Sequence, residues 1–188
     1  MAARRNKLIL WMGEKHCGKT TSAANLVEIA HDEGFSVAGL LAPSLYRNGR
    51  LIGFDVFELR DQMRAPLARC KVSSSTTGPF TFMANGLKLG ITALSATATK
   101  SADLVIVDEF GPLELNGQGW RRNVDSLLAS SNAVILLVVR QELADAVRQL
   151  YADVPCRKLL ATEPRSIESV IRTLNNHRQS GRGENDQA

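Results

Sequence analysis

The sequence is short of aromatic residues and of concentrated charge. Phenylalanine, tryptophan and tyrosine together make up 5% of the 188 residues, whereas proteins that bind single-stranded nucleic acid need aromatic stacking platforms. The net charge of +4 comes from basic residues that are scattered along the chain rather than gathered in one stripe. We therefore expect a mildly basic, solvated surface and no nucleic-acid partner.

Long apolar runs and cysteine pairs are also missing. No apolar stretch approaches the roughly 20 residues of a membrane span, and the run at 8–12 is too short for a secretory signal. The three cysteines are an odd number without the spacing of a metal site: Cys17, Cys70 and Cys156. This usage agrees with a reducing compartment, so we expect a cytoplasmic protein with no membrane partner.

The chain does contain a glycine-rich motif directly after that short apolar run. Eight residues fit the pattern G-x-x-x-x-G-K-[ST]: Gly13, Glu14, Lys15, His16, Cys17, Gly18, Lys19 and Thr20. A triphosphate requires several backbone N–H donors aimed at one point, a cation, and no Cβ atoms in the way. The motif therefore predicts a bound nucleoside triphosphate, with Lys19 on the β- and γ-phosphates and the Thr20 hydroxyl on Mg²⁺.

The surroundings of this phosphate-binding loop, or P-loop, match its usual setting between a strand and a helix. Apolar residues 8–12 precede it. Apolar side chains then recur at helical spacing until Gly34, at Ala23, Leu26, Val27 and Ala30. We therefore expect the positive end of a helix to face the phosphates.

Apolar runs and helical patterns alternate along the rest of the chain. This alternation is typical of an α/β protein whose mostly parallel sheet is covered by helices on both faces. The apolar pattern stops near residue 175, so we expect one domain over 1–175 and a disordered polar tail over 176–188.

Three segments interrupt or follow the alternating pattern in the first half of the chain. Asn48-Gly49 between two apolar segments predicts an antiparallel hairpin near residues 43–58. Ser73–Pro79 has turn composition and predicts a loop near the site or a lid. A helix is expected after it, on an apolar stripe of Leu87, Ile91, Leu94 and Ala98.

A second acidic motif follows the buried-strand pattern Leu104–Val107. The end of such a strand would bring Asp108 to the edge of the sheet where the P-loop lies. Asp108 is expected to hold Mg²⁺, and Glu109 to orient and deprotonate the water that attacks the γ-phosphate. Glu114 lies in the turn that follows, and it could support Mg²⁺, contact an arginine or face solvent.

Arginine is the residue that would stabilise the charge spreading over the γ-phosphoryl oxygens. Arg47, Arg50 and Arg140 are candidates, the last because it follows the predicted strand at 133–139. Most arginines are solvated, so the sequence leaves all three open.

Three segments taken in order, 18–21, 47–56 and 107–115, resemble a known family. It is the small P-loop nucleoside-triphosphatase family that includes the thermostable and cancer-related NTPases, and the similarity extends to about Leu174. The resemblance implies a three-layer P-loop fold of the RecA, additional-strand type. It also implies slow, base-tolerant hydrolysis of nucleoside triphosphates to the diphosphate and phosphate.

The family's site residues map onto this chain one by one. Lys19, Asp108 and Glu109 take the catalytic positions, and Thr20 and Asp108 take the metal positions. The predicted nucleotide-binding residues run from Gly13 through Thr20 to Thr21.

The family's arginines and two departures from its pattern complete the comparison. Arg47 and Arg50 match the arginines of the family's hairpin, and Arg165 matches a nucleotide-binding arginine after the last strand. His16 stands where the family usually has a glycine, and Pro164 where it usually has an asparagine.

Two other functions fit part of the same pattern. A nucleotide or small-molecule kinase would use the hairpin and the serine-rich loop to form an acceptor pocket. A nucleotide-gated module would use slow hydrolysis as a timer for a protein or RNA partner, although no Ras-like N-K-x-D sequence follows a strand. Hydrolysis is the main prediction because a carboxylate follows the metal-binding Asp108.

Overall fold

The structure is a computed structural model that describes residues 7–71 and 79–185, with side chains up to residue 179. Within this part of the chain nine strands form one sheet. They are β1 (Leu8–Gly13), β2 (Val37–Leu41), β3 (Ser44–Arg47), β4 (Arg50–Glu58), β5 (Arg64–Cys70), β6 (Phe80–Phe82), β7 (Leu104–Val107), β8 (Val134–Arg140) and β9 (Cys156–Leu160). The helices are α1 (Lys19–Asp32), α2 (Ala84–Ala93), α3 (Ala96–Thr99), α4 (Pro112–Leu115), α5 (Arg121–Ser130), α6 (Ala144–Leu150) and α7 (Ser166–Asn185).

The parallel part of the sheet has the spatial order β2-β7-β8-β1-β9. Strand β8 therefore lies between the P-loop strand β1 and the acidic strand β7. This is the additional strand that the resemblance implies, and the predicted fold class is confirmed.

Helices cover both faces of this sheet because its strands are apolar on both sides. Alternate residues of β1 point to opposite cores: Leu8 and Leu10 to one, Ile9 and Trp11 to the other. The first core packs against α2, α5 and α6, and the second against α1 and α7. The result is the expected three-layer arrangement.

The antiparallel part begins at β4, which pairs with β2. The predicted hairpin is confirmed: β3 and β4 pair through a turn at Asn48 and Gly49, whose φ angles of 49° and 72° are those of a type I′ turn. Strands β5 and β6 extend the sheet beyond β4 and were not predicted. The sequence of β5 lacks a period of two and contains Pro66, a residue that normally argues against a strand interior.

The helix expected from an apolar stripe at Leu87, Ile91, Leu94 and Ala98 differs from the observed one. Helix α2 ends at Ala93, α3 follows separately, and Ile91 is exposed. The buried face of α2 carries Gly86 and Gly90 instead, since a Cβ at Gly86 would lie 2.1 Å from the Pro66 carbonyl oxygen. The close packing of α2 on β5 leaves no room for a side chain at position 86. A pattern of apolar residues therefore does not identify the face of α2 that carries these glycines.

Helix α7 differs from the prediction at its end. It continues to Asn185, so the expected boundary between domain and tail near residue 175 falls inside the helix. The side chain of Arg178 explains part of this extension, because it covers the Phe35 ring at 4.2 Å and bonds to Asp103.

Two further expectations concern the loop and the membrane. The loop predicted at Ser73–Pro79 lies, apart from Pro79, outside the described residues. No helix in the part that the structure describes is both long and apolar enough to cross a membrane.

Candidate active site

The P-loop connects β1 to α1 at the carboxyl edge of the parallel strands. The register pairs Gly13 of β1 with Arg140 of β8, so both residues stand at this edge. Helix α1 begins at Lys19 and buries Ala23, Leu26, Val27 and Ala30 as predicted. Its first turn therefore points the positive end of the helix toward the loop.

Two residues of the loop have left-handed backbone conformations. Gly18 has a φ of 87° and His16 a φ of 64°. A non-glycine residue in this region costs roughly 1–2 kcal/mol. This cost explains why the family usually has a glycine at the position of His16.

Lys19 and Thr20 are half-buried at the bottom of the loop. The ammonium group of Lys19 donates a hydrogen bond of 2.6 Å to the carbonyl oxygen of Glu14. Thr20 makes a hydrogen bond with the Asp108 carboxylate. The hydroxyl and the carboxylate predicted to hold one cation are thus in contact.

Asp108 is almost completely buried, with 1% of its surface exposed. Its two oxygens accept hydrogen bonds of 2.9 Å from the backbone N–H groups of Ala42 and Glu109. Burial raises the pKa of Asp108, and these hydrogen bonds and Lys19 oppose the shift. The carboxylate is therefore fixed in orientation beside Thr20.

The residues before and after Glu109 form backbone hydrogen bonds with neighbouring strands. The N–H of Asp108 donates to Leu40 of β2, and the N–H of Phe110 donates to Val138 of β8. Glu109 itself has a φ of 59°, an unusual conformation for a residue with a Cβ. Backbone strain of this kind is concentrated at functional sites, where the surrounding structure holds it in place.

The electrostatic surroundings of Glu109 have both signs. Loss of hydration is the largest cause that raises the pKa of Glu109, and the nearby Asp108 raises it further. Arg140 and Lys19 act in the opposite direction. Glu109 is exposed to solvent, yet nearby protein atoms remove part of the hydration of its carboxylate. It is therefore an accessible carboxylate with a raised pKa.

The P-loop and Glu109 line one cleft of about 320 Å³. Six of the predicted nucleotide-binding residues line it: Lys15, His16, Gly18, Lys19, Thr20 and Thr21. Glu109 and Arg140 line the same cleft. Four other predicted residues are not part of the lining: Gly13, Glu14, Cys17 and Asp108. Of these, Gly13 and Asp108 are buried.

The structure separates the arginine candidates. Arg140 lines the cleft, whereas Arg47 and Arg50 are exposed at the hairpin turn and do not. Arg165 is exposed just before α7 and also lies outside the lining. A role for Arg165 in nucleotide binding stays a prediction.

Glu114 has a different role from those left open by the sequence. Its carboxylate is buried, and it accepts hydrogen bonds from the N–H groups of Gly111 at 2.8 Å and Trp120 at 3.1 Å. Burial raises its pKa against these bonds. Glu114 therefore fixes the chain after Glu109 instead of binding a ligand.

The hairpin supplies cleft residues that the sequence did not reveal. Pro43, Ser44, Tyr46 and Phe54 line the same cleft as the P-loop. Tyr46 is 56% exposed. An exposed tyrosine in a predicted hairpin was the available signal, but only the fold shows that the hairpin faces the P-loop.

Oxygen ligands near Thr20 suit a small hard cation. No three His, Cys, Asp or Glu side chains among the described residues are grouped to hold a metal by themselves. Mg²⁺ does not need such a group, because it keeps several waters and combines one or two protein oxygens with substrate phosphates. The Thr20–Asp108 pair fits that requirement.

Comparison with known proteins agrees with this geometry. A family model described as NTPase matches residues 9–165. The nucleoside-triphosphatase THEP1 of Methanothermobacter thermautotrophicus is 31% identical over 140 residues, which cover 72% of this chain and 78% of the relative. THEP1 of Methanopyrus kandleri is 29% identical over 151 residues, covering 74% and 83%.

Two solved structures share the fold. The solution structure of a human cancer-related nucleoside triphosphatase has a TM-score of 0.67 at 22% identity, covering 93% of this chain and 98% of the other. The crystal structure of THEP1 from Aquifex aeolicus has a TM-score of 0.65 at 20% identity, covering 89% and 98%.

Proposed function

The chain belongs to this nucleoside-triphosphatase family, and we propose that its P-loop cleft hydrolyses nucleoside triphosphates to the diphosphate and phosphate, with Mg²⁺ as the cation. The observation that carries the proposal is the position of Glu109. Glu109 lines the same cleft as Lys19, and the residues on either side of it are hydrogen-bonded to β2 and to β8.

In this proposal the protein positions the triphosphate before any bond changes. The backbone N–H groups of the P-loop surround the β-phosphate, and Lys19 leaves the Glu14 carbonyl for the β- and γ-phosphate oxygens. Thr20 and Asp108 would hold Mg²⁺, which would supply positive charge to the phosphates. Arg140 approaches the γ-phosphate from β8 and stabilises the charge that develops there.

Glu109 then acts on the attacking water. It accepts a proton from the water as the water oxygen attacks the γ-phosphorus. The raised pKa of Glu109 makes this carboxylate a better base than an ordinary solvated glutamate. Glu114 keeps the following turn in place through its bonds to Gly111 and Trp120.

We further propose that base recognition is weak. Tyr46 offers an exposed ring on which any base can stack, because every base has a π-face. Replacing Tyr46 by alanine should therefore raise KM by a similar factor for ATP, GTP, CTP and UTP. A loss confined to one base would contradict this assignment.

Phosphate release with each of the four triphosphates tests the proposed function. Release is expected for all four, and removal of Mg²⁺ with a chelator should stop it, with recovery when Mg²⁺ is restored. Absence of phosphate release with every triphosphate would refute hydrolysis as the activity.

A further inference from the structure

A second cavity, of about 370 Å³, adjoins the nucleotide cleft. The two cavities share a wall of four residues: Phe54, Glu109, Gly111 and Arg140. The charged members of this wall are Glu109 and Arg140. A molecule that fills the second cavity would therefore reach Glu109, the carboxylate to which we assign the activation of the attacking water.

The remaining wall of this cavity is mostly apolar and aromatic. It includes Leu67, Phe80, Phe82, Leu87 and Trp120. The rings of Phe54 and Phe80 meet edge to face, with centroids 5.2 Å apart. A cavity of this size and lining suits a small organic molecule with a ring-sized body, because ligand sites combine apolar walls with a few polar groups.

The polar groups at the shared wall restrict the chemistry of such a molecule. Glu109 and Glu114 both line the cavity, so a ligand with its own negative charge would meet two carboxylates. The oxygens of Glu114 already accept hydrogen bonds from Gly111 and Trp120. A hydroxyl group, in contrast, can donate to Glu109 and accept from Arg140.

We propose that the apolar cavity binds a small neutral alcohol with a ring-sized body, whose hydroxyl lies between Glu109 and Arg140 and accepts the γ-phosphoryl group in place of water. This activity goes beyond hydrolysis, and it rests on the assignment of the P-loop cleft to the triphosphate. The apolar part of the wall suits the ring of the alcohol better than it suits water, because water needs hydrogen-bonding partners that apolar side chains do not supply.

The transfer step uses the triphosphate as its only co-reactant. The hydroxyl oxygen forms a bond to the γ-phosphorus while the bond from that phosphorus to the β–γ bridging oxygen breaks. The hydroxyl proton passes to the Glu109 carboxylate, and the nucleoside diphosphate leaves with the electron pair of the broken bond. The products are a phosphate monoester and the diphosphate.

Benzyl alcohol, 2-phenylethanol and cyclohexylmethanol serve as probes at millimolar concentration. The full chain is incubated with MgATP and each alcohol, and phosphorus NMR separates inorganic phosphate from phosphate monoester. Calorimetric titration of each alcohol in the presence of MgADP measures binding independently. We expect saturable binding and a monoester with at least one probe.

Two variants of one helix provide a matched pair. Leu87→Trp fills the cavity, whereas Ile91→Trp adds the same ring at an exposed position of α2 outside it. The tryptophan ring takes up space that the alcohol needs, so monoester formation should fall about tenfold or more in Leu87→Trp. Ile91→Trp should retain it, and phosphate release without alcohol should be unchanged in both.

Phe82→Ala covers the case in which Leu87→Trp does not fold. This side chain is 45% exposed, and its removal opens the cavity wall, so the alcohol should bind more weakly while phosphate release persists. The proposal is overturned if no probe binds, if probes bind but all phosphate stays inorganic, or if Leu87→Trp makes as much monoester as Ile91→Trp. Absence of phosphate release without alcohol would instead refute hydrolysis.

Discussion

The parallel and antiparallel parts of the sheet are stabilised and used in different ways. The parallel strands β2, β7, β8 and β1 are buried on both faces and end at one edge, where the P-loop, Asp108 and Arg140 meet. The antiparallel strands β4 and β5 place Val56 and Leu67 in a core and are also joined by charged contacts around Asp55. Phosphate chemistry is thus concentrated on one part, and the walls that shape the cleft come from the other.

Asp55 shows this contrast most clearly. Its carboxylate accepts hydrogen bonds of 2.7 Å from Arg64 and from Arg69, both on β5. The residue is 9% exposed. Charged contacts from one acidic side chain of β4 therefore add to the backbone pairing with β5, whereas β1 and β8 combine backbone pairing with buried apolar side chains.

The largest expected effect comes from removing the P-loop ammonium on the parallel side. Lys19→Ala should reduce phosphate release by about a thousandfold, because one well-placed donor alone is worth hundreds-fold and Lys19 also carries charge. The folded state should change little, since the hydrogen bond of the half-buried ammonium runs to the Glu14 carbonyl within the same loop. Steady-state release and thermal melting of the same sample check both statements; a large loss of stability would contradict them.

A smaller effect, on stability instead of rate, is expected from the antiparallel side. Asp55→Ala removes the carboxylate and leaves Arg64 and Arg69 without it, which should cost about 1–2 kcal/mol because both arginines are partly solvated. Urea unfolding measures the change. Asp61→Ala, at an exposed neighbouring position, is the control and should be close to neutral. Equal losses in both variants would remove the special role of Asp55.

As the pH is lowered, the rate of phosphate release should fall before the stabilisation by Asp55 is lost. The pKa of Glu109 is raised, chiefly by lost hydration, so the rate falls as pH drops through a value above 4.5, by about tenfold per pH unit. The pKa of Asp55 is lowered: burial opposes the shift, but the bonds from Arg69 and Arg64 outweigh it.

The stabilisation by Asp55 is present above the ordinary pKa of 3.8 and disappears as pH falls through the lower, folded-state pKa. Plots of kcat/KM and of unfolding free energy against pH should therefore have different acid limbs. In Glu109→Gln the acid limb of the rate should be lost. Coinciding limbs in the unchanged protein would contradict the separation.

The smallest effect is expected at His16. His16→Gly relieves the left-handed backbone but gives the unfolded chain more freedom, and the two terms leave a net change within about 1 kcal/mol. Thermal melting checks this figure. A loss well beyond it would show that the imidazole makes a contact that matters.

The sequence predicted the parallel part well because its signals are local. Apolar runs located β1, β2 and β7, and the motif predicted Lys19 and Thr20 at the start of α1. The strand end predicted where Asp108 lies. Each of these inferences needs only a few neighbouring residues.

The antiparallel part was predicted less completely because its structure depends on distant contacts. Strand β5 contains Pro66 and charged residues, and Asp55 organises it from another strand. The buried side of α2 carries Gly86, which packs on β5, and Gly90, which packs on Trp120, so no apolar stripe marks that side of the helix. The roles of Tyr46 and Glu114 also required the fold, because only the fold determines which side chains face the cleft and which bond to the backbone.

The most direct test of the account is the rate of phosphate release in Glu109→Gln, beside Glu142→Gln as a control. Glu142 is an exposed glutamate that follows Arg140 at the same edge of the sheet. We predict that Glu109→Gln binds MgATP as the unchanged protein does while its turnover falls about a hundredfold or more, and that Glu142→Gln keeps its rate. Unchanged turnover in Glu109→Gln would contradict the claim that this carboxylate activates the nucleophile.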